Sequence, residues 1–532
     1  MAIPKVIVAD PISQRGVDAL AEGGVLDVTV KTGLTEEELI KIIPEFSGVV
    51  VRSQTKITAA VLDAARQLKA IGRAGVGVDN VDIKAATKHG VIVMNTPGGN
   101  TISTAEHAFS LMVSMARNIP QAHASIVAGR WDRKKFEGVE LYGKTLGILG
   151  MGRIGGEVAR RAIAFGMRVM AYDPYLSESK ARSLQVELVE DVDSLLPLAD
   201  FITLHMPLTP ETKHILDARR MAMCKRGVRI VNCARGGLVD EAALGDCLRS
   251  GQVAGAALDV YEVEPPPPDF ALRDLPNIVF TPHLGASTAE AQENVGIEIA
   301  AAIRAALIDG EIRNAVNMPS IDAKTAVILH PYLVLGKCLG RFVGQLAPKR
   351  KERLVITYGG KAATMPTDSI TRAIITGFLQ HVGGEEVNAV NCLSMIETLG
   401  ISVQEVKSND QVDFNEWLHV AAYHEGGTTS AGGTFFGAKD EPRIVRVNKQ
   451  SVEVIPEGIV LVMRNRDVPG IIGSVGTIFG KYGVNIAGMS LSRDLEGHKA
   501  LTLFNLDSAP CEDVLRDLEA LEAVESVKVI AL

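Results

Sequence analysis

Cysteine is scarce in this chain of 532 residues and never clustered: Cys224, Cys233, Cys247, Cys338, Cys392 and Cys511 lie far apart, with no CxxC pair among them. That excludes a cysteine metal centre and a disulfide framework, and it fits reduced thiols in a cytoplasmic compartment. Long apolar runs are missing too, since none reaches the roughly 18 residues of a membrane span. The start, Met1-Ala2-Ile3-Pro4-Lys5-Val6, has no signal-peptide pattern and goes almost directly into a strand. The net charge of −8 leaves no surplus of basic groups, so nucleic acid is not an expected partner. An anionic ligand must therefore be held by a local basic cluster. Neither a bound metal nor a membrane is expected.

Apolar residues are plentiful, at 47%, against 22% charged. The length predicts three or four domains. Short apolar segments at Val6–Ala9, Gly48–Val51, Leu68–Ile71 and Val91–Met94 alternate with helical patterns, which predicts a doubly wound parallel sheet. A helix is expected from Ser103, where Ser103-Thr104-Ala105-Glu106 offers an N-cap and a following carboxylate. A second α/β unit begins at Thr145–Leu149 and continues through strands at Arg168–Tyr172, Phe201–Leu204, Val228–Asn232, Gly255–Leu258 and Ile278–Thr281. A long helical pattern, Ala286–Ile308, then returns to the first unit. The second unit is thus inserted in the first, and a ligand cleft between them is expected. The predicted division is 1–97 with 286–316 for substrate, 98–285 for a dinucleotide, 317–456 as an α+β intermediate domain and 457–532 as a terminal domain. That last part reads β-α-β-β-α-β, the ferredoxin-like order.

Gly150-Met151-Gly152-Arg153-Ile154-Gly155 is a GxGxxG that follows an apolar strand and opens a helix, the context in which such glycines cradle a pyrophosphate. Asp173 ends the next strand, 18 residues after Gly155. A carboxylate there accepts ribose hydrogen bonds and repels a 2′-phosphate, which favours NAD over NADP. Three further segments fall at strand ends of the same unit: Asn232–Gly237, Ala257–Pro265 and Thr281–Ala286. They supply an arginine, acidic groups and a histidine. An arginine fork suits the carboxylate and C2 oxygen of a 2-hydroxy acid. A histidine suits proton removal from its hydroxyl near neutral pH, with a carboxylate beside it to hold the tautomer.

On these segments, with Gly72–Asn80, Asn95-Thr96-Pro97, Asn232–Gly237, Glu262–Pro265 and Pro282–Ser287, residues 1–316 resemble the D-isomer-specific 2-hydroxy acid dehydrogenases. The whole chain resembles the long branch of that family, which carries a C-terminal ACT domain and acts on 3-phosphoglycerate. The resemblance implies two Rossmann-like domains and an NAD cofactor. It assigns Arg235 to substrate, His283 to acid-base catalysis and Glu264 to the support of His283. It places Asp259 at the nicotinamide carboxamide, His205, Met206 and Pro207 beside the cofactor, and Arg153 and Ile154 over the pyrophosphate. Around them Val76, Gly150, Gly152, Gly155, Asp173, Pro174, Cys233, Ala234, Gly285 and Ala286 complete the cofactor set. Val76 stands where some relatives have threonine, so any contact there is expected through backbone.

Phosphate would be met by Arg52, Ser53, Arg73, Gly75 and Val76, and by Arg133 and Lys134 in the segment Arg130–Lys135. That segment carries four cations and one Asp, and in the long branch its counterpart reaches the neighbouring subunit's site. In related ACT domains the counterparts of Asn465, Asp467 and Asn485 bind L-serine across a dimer interface. The ACT-like unit alone would expose a helix face and a sheet edge, so a homo-oligomer, a tetramer, is expected. The implied reaction oxidises 3-phospho-D-glycerate to 3-phosphohydroxypyruvate, the first step of phosphorylated serine biosynthesis, with 2-oxoglutarate reduction as a side activity. The alternatives are a hydroxypyruvate or glyoxylate reductase, an NAD-gated corepressor, and an amino-acid sensor with a vestigial dehydrogenase half. The basic segment and the residues beyond 316 disfavour the first, the ACT-like tail disfavours the second, and the intact trio Arg235, Glu264 and His283 disfavours the last.

Overall fold

The computed structural model describes residues 3–319, 323–348, 350–383, 386–408, 414–437, 440–494 and 498–532. Its first sheet holds five parallel strands in the spatial order Asp27–Val30, Lys5–Val8, Gly48–Val51, Ala70–Arg73, Ile92–Met94. Val6, Ile7, Val8 and Val49 to Val51 are all buried, as expected of strands covered on both faces. Sequence reading expects four of these strands. The fifth, Asp27–Val30, is an edge strand of largely exposed residues, so it has no apolar run to announce it. The fourth strand also begins two residues later than expected, which makes Arg73 its last residue.

The chain crosses to the second unit through the helix Thr101–Ala116. The expected cap at Ser103 is not there. The helix starts earlier, Ser103 lies inside it with its hydroxyl on the carbonyl of Asn100, and Thr104 donates instead to the carbonyl of Gly285. Seven parallel strands follow, ordered Ile278–Phe280, Val253–Leu258, Val228–Asn232, Phe201–Leu204, Thr145–Leu149, Arg168–Tyr172, Glu187–Leu188. The order reverses between Thr145–Leu149 and Phe201–Leu204, and a ligand cleft opens at the carboxyl ends beside such a reversal. The return helix Ala289–Arg304 packs Ile299 and Ile303 against Gly72 of the first sheet.

The intermediate unit is a mixed six-stranded sheet covered by the helices Ala323–Leu346 and Thr367–Gly383. A Cβ on Gly340 would lie 2.0 Å from the carbonyl oxygen of Ile374, so the two helices touch backbone to backbone there. The stretch Thr325–Leu346 is long and apolar enough to span a membrane by composition, a point not evident from counting uninterrupted apolar runs. Here Leu329, Leu335, Leu339 and Phe342 lie in the core of this unit.

The last unit has antiparallel strands Ile459–Arg466, Ile486–Asp494, Lys499–Leu506 and Val524–Ala531, with helices Ile471–Lys481 and Glu512–Glu519. Its Val460, Val462, Leu501, Leu503 and Ile530 join the core of the intermediate unit. The sheet face without helices is therefore covered within one chain. Gln345 also bonds both the carbonyl and the amide of Ala531.

Candidate active site

Two adjoining cavities, of about 280 and 570 Å³, run between the first two units. The smaller is lined by Val76, Gly152, Arg153, Ile154, His205, Met206, Pro207, Cys233, Ala234, Arg235, Asp259, His283, Gly285 and Ala286, and the larger by Arg52, Ser53, Arg73, Gly75, Val76, Arg235, Glu264, His283 and Ala286. Arg235 and His283 border both, so they stand at the junction.

The glycine loop is shaped as a cradle. Gly150 has φ +97°, and a Cβ there would meet the carbonyl of His205 at 2.6 Å. Gly155 lets the helix Arg153–Ala164 lie against the carbonyl of Gly150, where a Cβ would sit at 2.1 Å. Gly152, at the helix start, has open space where its Cβ would be. An anion there would face the positive end of a helix. Asp173 accepts from the amides of Met151 at 2.7 Å and Tyr175 at 2.9 Å, so the carboxylate also fixes this loop. His205 is half-buried, its Nε2 on the hydroxyl of Thr203 and its buried Nδ1 without a partner among the described residues, at the cavity wall. Burial pushes its pKa down to about 4, so it stays neutral. These features fit a dinucleotide: a bare backbone cradle for diphosphate, a carboxylate behind it and an unpaired buried nitrogen.

His283 follows the strand Ile278–Phe280 and adopts φ +56°, uncommon for a residue with a Cβ. Its Nδ1 bonds Glu264 Oε2 at 2.8 Å. That bond raises the His283 pKa above its usual value, against the opposing effect of burial. Burial would raise the Glu264 carboxyl, but the bonds from His283 and from the amide of Tyr261 outweigh it and hold it below the usual range. Arg235 is braced by its Nη1 on the carbonyl of Ala234 and its Nε 3.2 Å from Asp79.

Arg52, Arg73 and Arg235 share the larger cavity. Burial, then repulsion from Arg235 and Arg52, pushes the Arg73 pKa down to about 10, and its buried Nε has no partner among the described residues. Clustered, partly desolvated cations of this kind gain from a dianionic ligand. Asp10, which sequence reading missed, is 1% exposed and accepts from the amides of Arg52, Gln54 and Thr55 and the hydroxyl of Thr55. It shapes the loop that presents Arg52 and Ser53. Its only sequence signal is an acidic residue directly after a buried strand. Asn95, noted in sequence only as part of the Asn95-Thr96-Pro97 segment and given no role there, donates its side chain to the carbonyl of Val76.

Other expected residues lie elsewhere. Pro174 directly follows Asp173, and neither lines the two cavities. Burial pushes the Cys233 thiol well up, so it is a wall and not a thiolate. Arg133 and Lys134 sit on an exposed turn, Arg133–Phe136, and line neither cavity of their own chain. Asn465 is 1% exposed, with its amide on the carbonyl of Arg466 and its oxygen accepting from Thr502. Asp467 pairs with Arg493, and Asn485 donates to Asp507. Among the described residues no group of three or more His, Cys, Asp and Glu could hold a metal ion.

Three family models match the chain: the D-isomer specific 2-hydroxyacid dehydrogenase NAD binding domain over residues 109–285, the D-3-phosphoglycerate dehydrogenase intervening domain over 328–448, and the ACT domain over 459–525. The D-3-phosphoglycerate dehydrogenase of Archaeoglobus fulgidus is 45% identical across 98% of both chains. That of Bacillus subtilis is 40% identical across 99% of both. Among solved structures, a glyoxylate reductase from Paecilomyes thermophila is 32% identical with a TM-score of 0.55, covering 59% of this chain and 99% of that one.

Proposed function

Since the chain belongs to the D-3-phosphoglycerate dehydrogenase family and is an NAD-dependent oxidoreductase acting on a CH–OH group, we propose that it oxidises 3-phospho-D-glycerate to 3-phosphohydroxypyruvate, the first step of phosphorylated serine biosynthesis. The observation that carries the choice of substrate is the group of three arginines, Arg52, Arg73 and Arg235, around the catalytic histidine. One arginine suffices for a simple 2-hydroxy acid. Two more match a phosphate.

In this reading Arg235 holds the carboxylate and C2 oxygen, while Arg52 and Arg73, with Ser53 and Gly75, face the phosphate. Glu264 occupies Nδ1 of His283, which leaves Nε2 to take the proton of the C2 hydroxyl. The Glu264 carboxylate then stabilises the imidazolium, as electrostatic support suited to a partly buried site. A bound NAD would supply the hydride acceptor for C2. Gly150, Gly152, Arg153, Ile154 and Gly155 would hold its diphosphate, Asp173 and Pro174 its ribose end, and Val76, His205, Met206, Pro207, Cys233, Ala234, Asp259, Gly285 and Ala286 the rest of the groove. Binding of a 2-oxo acid carboxylate by Arg235 equally supports slow reduction of 2-oxoglutarate.

A homotetramer fits the exposed apolar residues near the basic turn, Ile126, Val127, Trp131 and Tyr142, of which Trp131 is 83% exposed. Contact there would carry Arg133 and Lys134 to a neighbour's cleft. L-serine as effector would also need two copies. Asn465 pairs with Ala500 at one end of the last sheet, whereas Asn485 lies by Asp507 at the other, about 20 Å apart at strand rise. The proposed compartment is the cytoplasm, and the proposed domain limits are those expected from sequence. The test is NADH formation with 3-phosphoglycerate against glycerate, lactate and 2-hydroxyglutarate. A preference for an unphosphorylated acid would overturn the substrate assignment. Serine titration of wild type and Asn485→Ala tests the effector reading, with inhibition expected in the first alone.

A further inference from the structure

The loop that carries His283 is pinned from behind by one carboxylate. Asp259, 1% exposed, accepts at Oδ1 from the hydroxyl of Thr281 at 2.6 Å and the amide of Leu284 at 2.7 Å, and at Oδ2 from the amide of Gly285 at 2.8 Å. These donors flank His283 on both sides. His107 Nε2 lies 3.2 Å from both Asp259 Oδ1 and Thr281 Oγ1. The Thr281 hydroxyl spends its proton on Asp259, so its oxygen can accept, and the bridging proton must come from His107. His107 stands on the crossing helix Thr101–Ala116, one turn after Thr104, whose hydroxyl holds the carbonyl of Gly285. It lines neither cavity.

We propose that His107 is a positioning residue for the dehydrogenase reaction: through Asp259 and Thr281 it fixes the left-handed conformation that aims His283 at the substrate. The physical need is plain. A residue with a Cβ occupies φ +56° only when its surroundings hold it there. Four donors on one buried carboxylate supply that hold, and charge-assisted bonds of this kind are the strong ones. Asp259 borders the smaller cavity, but its two oxygens are already engaged by the protein. Its hold on the loop leaves Oδ2, which accepts a single protein bond, able to meet a nicotinamide as well. The crossing helix, in turn, ties the connection between the two α/β units to the catalytic loop through His107 and Thr104.

This inference rests on His283 being the acid-base group, so the experiment includes His283→Ala as a reference. His107→Leu, His107→Gln and Thr281→Val are compared in the full-length enzyme for kcat, KM for NAD and NAD affinity by calorimetry. Small displacements of a reacting group cost rate steeply, so kcat should fall about tenfold in His107→Leu and Thr281→Val, with KM for NAD within about twofold of wild type. His107→Gln places an amide donor near the Nε2 position and should recover most of the loss. The proposal is overturned if His107→Leu keeps wild-type kcat, if His107→Gln is no better than leucine, or if KM for NAD rises in step with the fall in kcat. Should His107→Leu fail to fold, Thr281→Val and His107→Gln decide by the same criteria. Full activity in His283→Ala would instead bring down the site assignment and leave the loop geometry unexplained by catalysis.

Discussion

Glu264→Gln is the most informative single change at the candidate site. The carboxylate is 2.8 Å from His283 Nδ1, and this bond is the largest influence raising the histidine's pKa. The charge of Glu264 adds to it, as does that of Asp259, while burial and Arg235 act the other way. Glutamine keeps the shape and can still accept from Nδ1–H, but it removes the charge. The remaining influences then favour neutral imidazole, so the His283 pKa must fall. Alcohol oxidation requires His283 unprotonated, and the acid limb of kcat/KM against pH reports its pKa in the free enzyme. That limb should move to lower pH in the variant. Each unit of movement corresponds to about 1.4 kcal/mol of lost stabilisation of the imidazolium. A weaker base and a less stabilised imidazolium should together lower kcat by roughly 10- to 100-fold, short of the 10²–10⁴-fold expected of His283→Ala. The assay is initial NADH formation across a pH series with saturating NAD. An acid limb that stays in place, or moves upward, refutes the reasoning.

Replacing Arg133 and Lys134 by alanine should raise KM for 3-phosphoglycerate well above tenfold while changing KM for an unphosphorylated 2-hydroxy acid by less than about twofold; equal effects would return the basic turn to a solvent-exposed loop. Mixing that variant with His283→Ala subunits should restore part of the activity if the turn acts across an interface. Asp173→Ala should weaken NAD binding and improve the relative use of NADP, because it removes a ribose acceptor, a repelling charge and the hold on the Met151 amide. Enzyme that already prefers NADP would contradict this. Gly90→Ala should lower the first thermal unfolding transition, since Gly90 has φ +70° and a Cβ there would lie 2.2 Å from Asn388 Nδ2. The left-handed backbone alone costs about 1–2 kcal/mol with alanine. Asn388→Ala, which clears that contact and also removes the bond to the Gly90 carbonyl, should recover only part of the loss.

Period and punctuation gave the order of the buried strands in the first two units, though not the exposed edge strand Asp27–Val30. Apolar runs such as Gly48–Val51 and Phe201–Leu204 are buried on both faces, so their position follows from composition without knowing their neighbours. The glycine loop, Asp173, Arg235, Glu264 and His283 were legible for a related reason. The glycine loop and Asp173 directly follow strand ends, Arg235 and His283 come shortly after theirs and Glu264 lies in a longer loop, and the chemistry of a 2-hydroxy acid asks for those side chains. Distance along the chain decides nothing else. Asp10 reads as an ordinary acid after a strand and proves to order the Arg52 loop, 42 to 45 residues away. His107 reads as one of several polar residues in the crossing helix and proves to reach Asp259, 152 residues on. The cover over the terminal sheet was likewise invisible, since Val460, Val462, Leu501, Leu503 and Ile530 show which face is apolar but not what lies on it. Periodicity is a property of one segment and survives in the sequence. Partnership between segments is a property of the packed chain, set by which buried polar groups must find a donor or acceptor once water is gone.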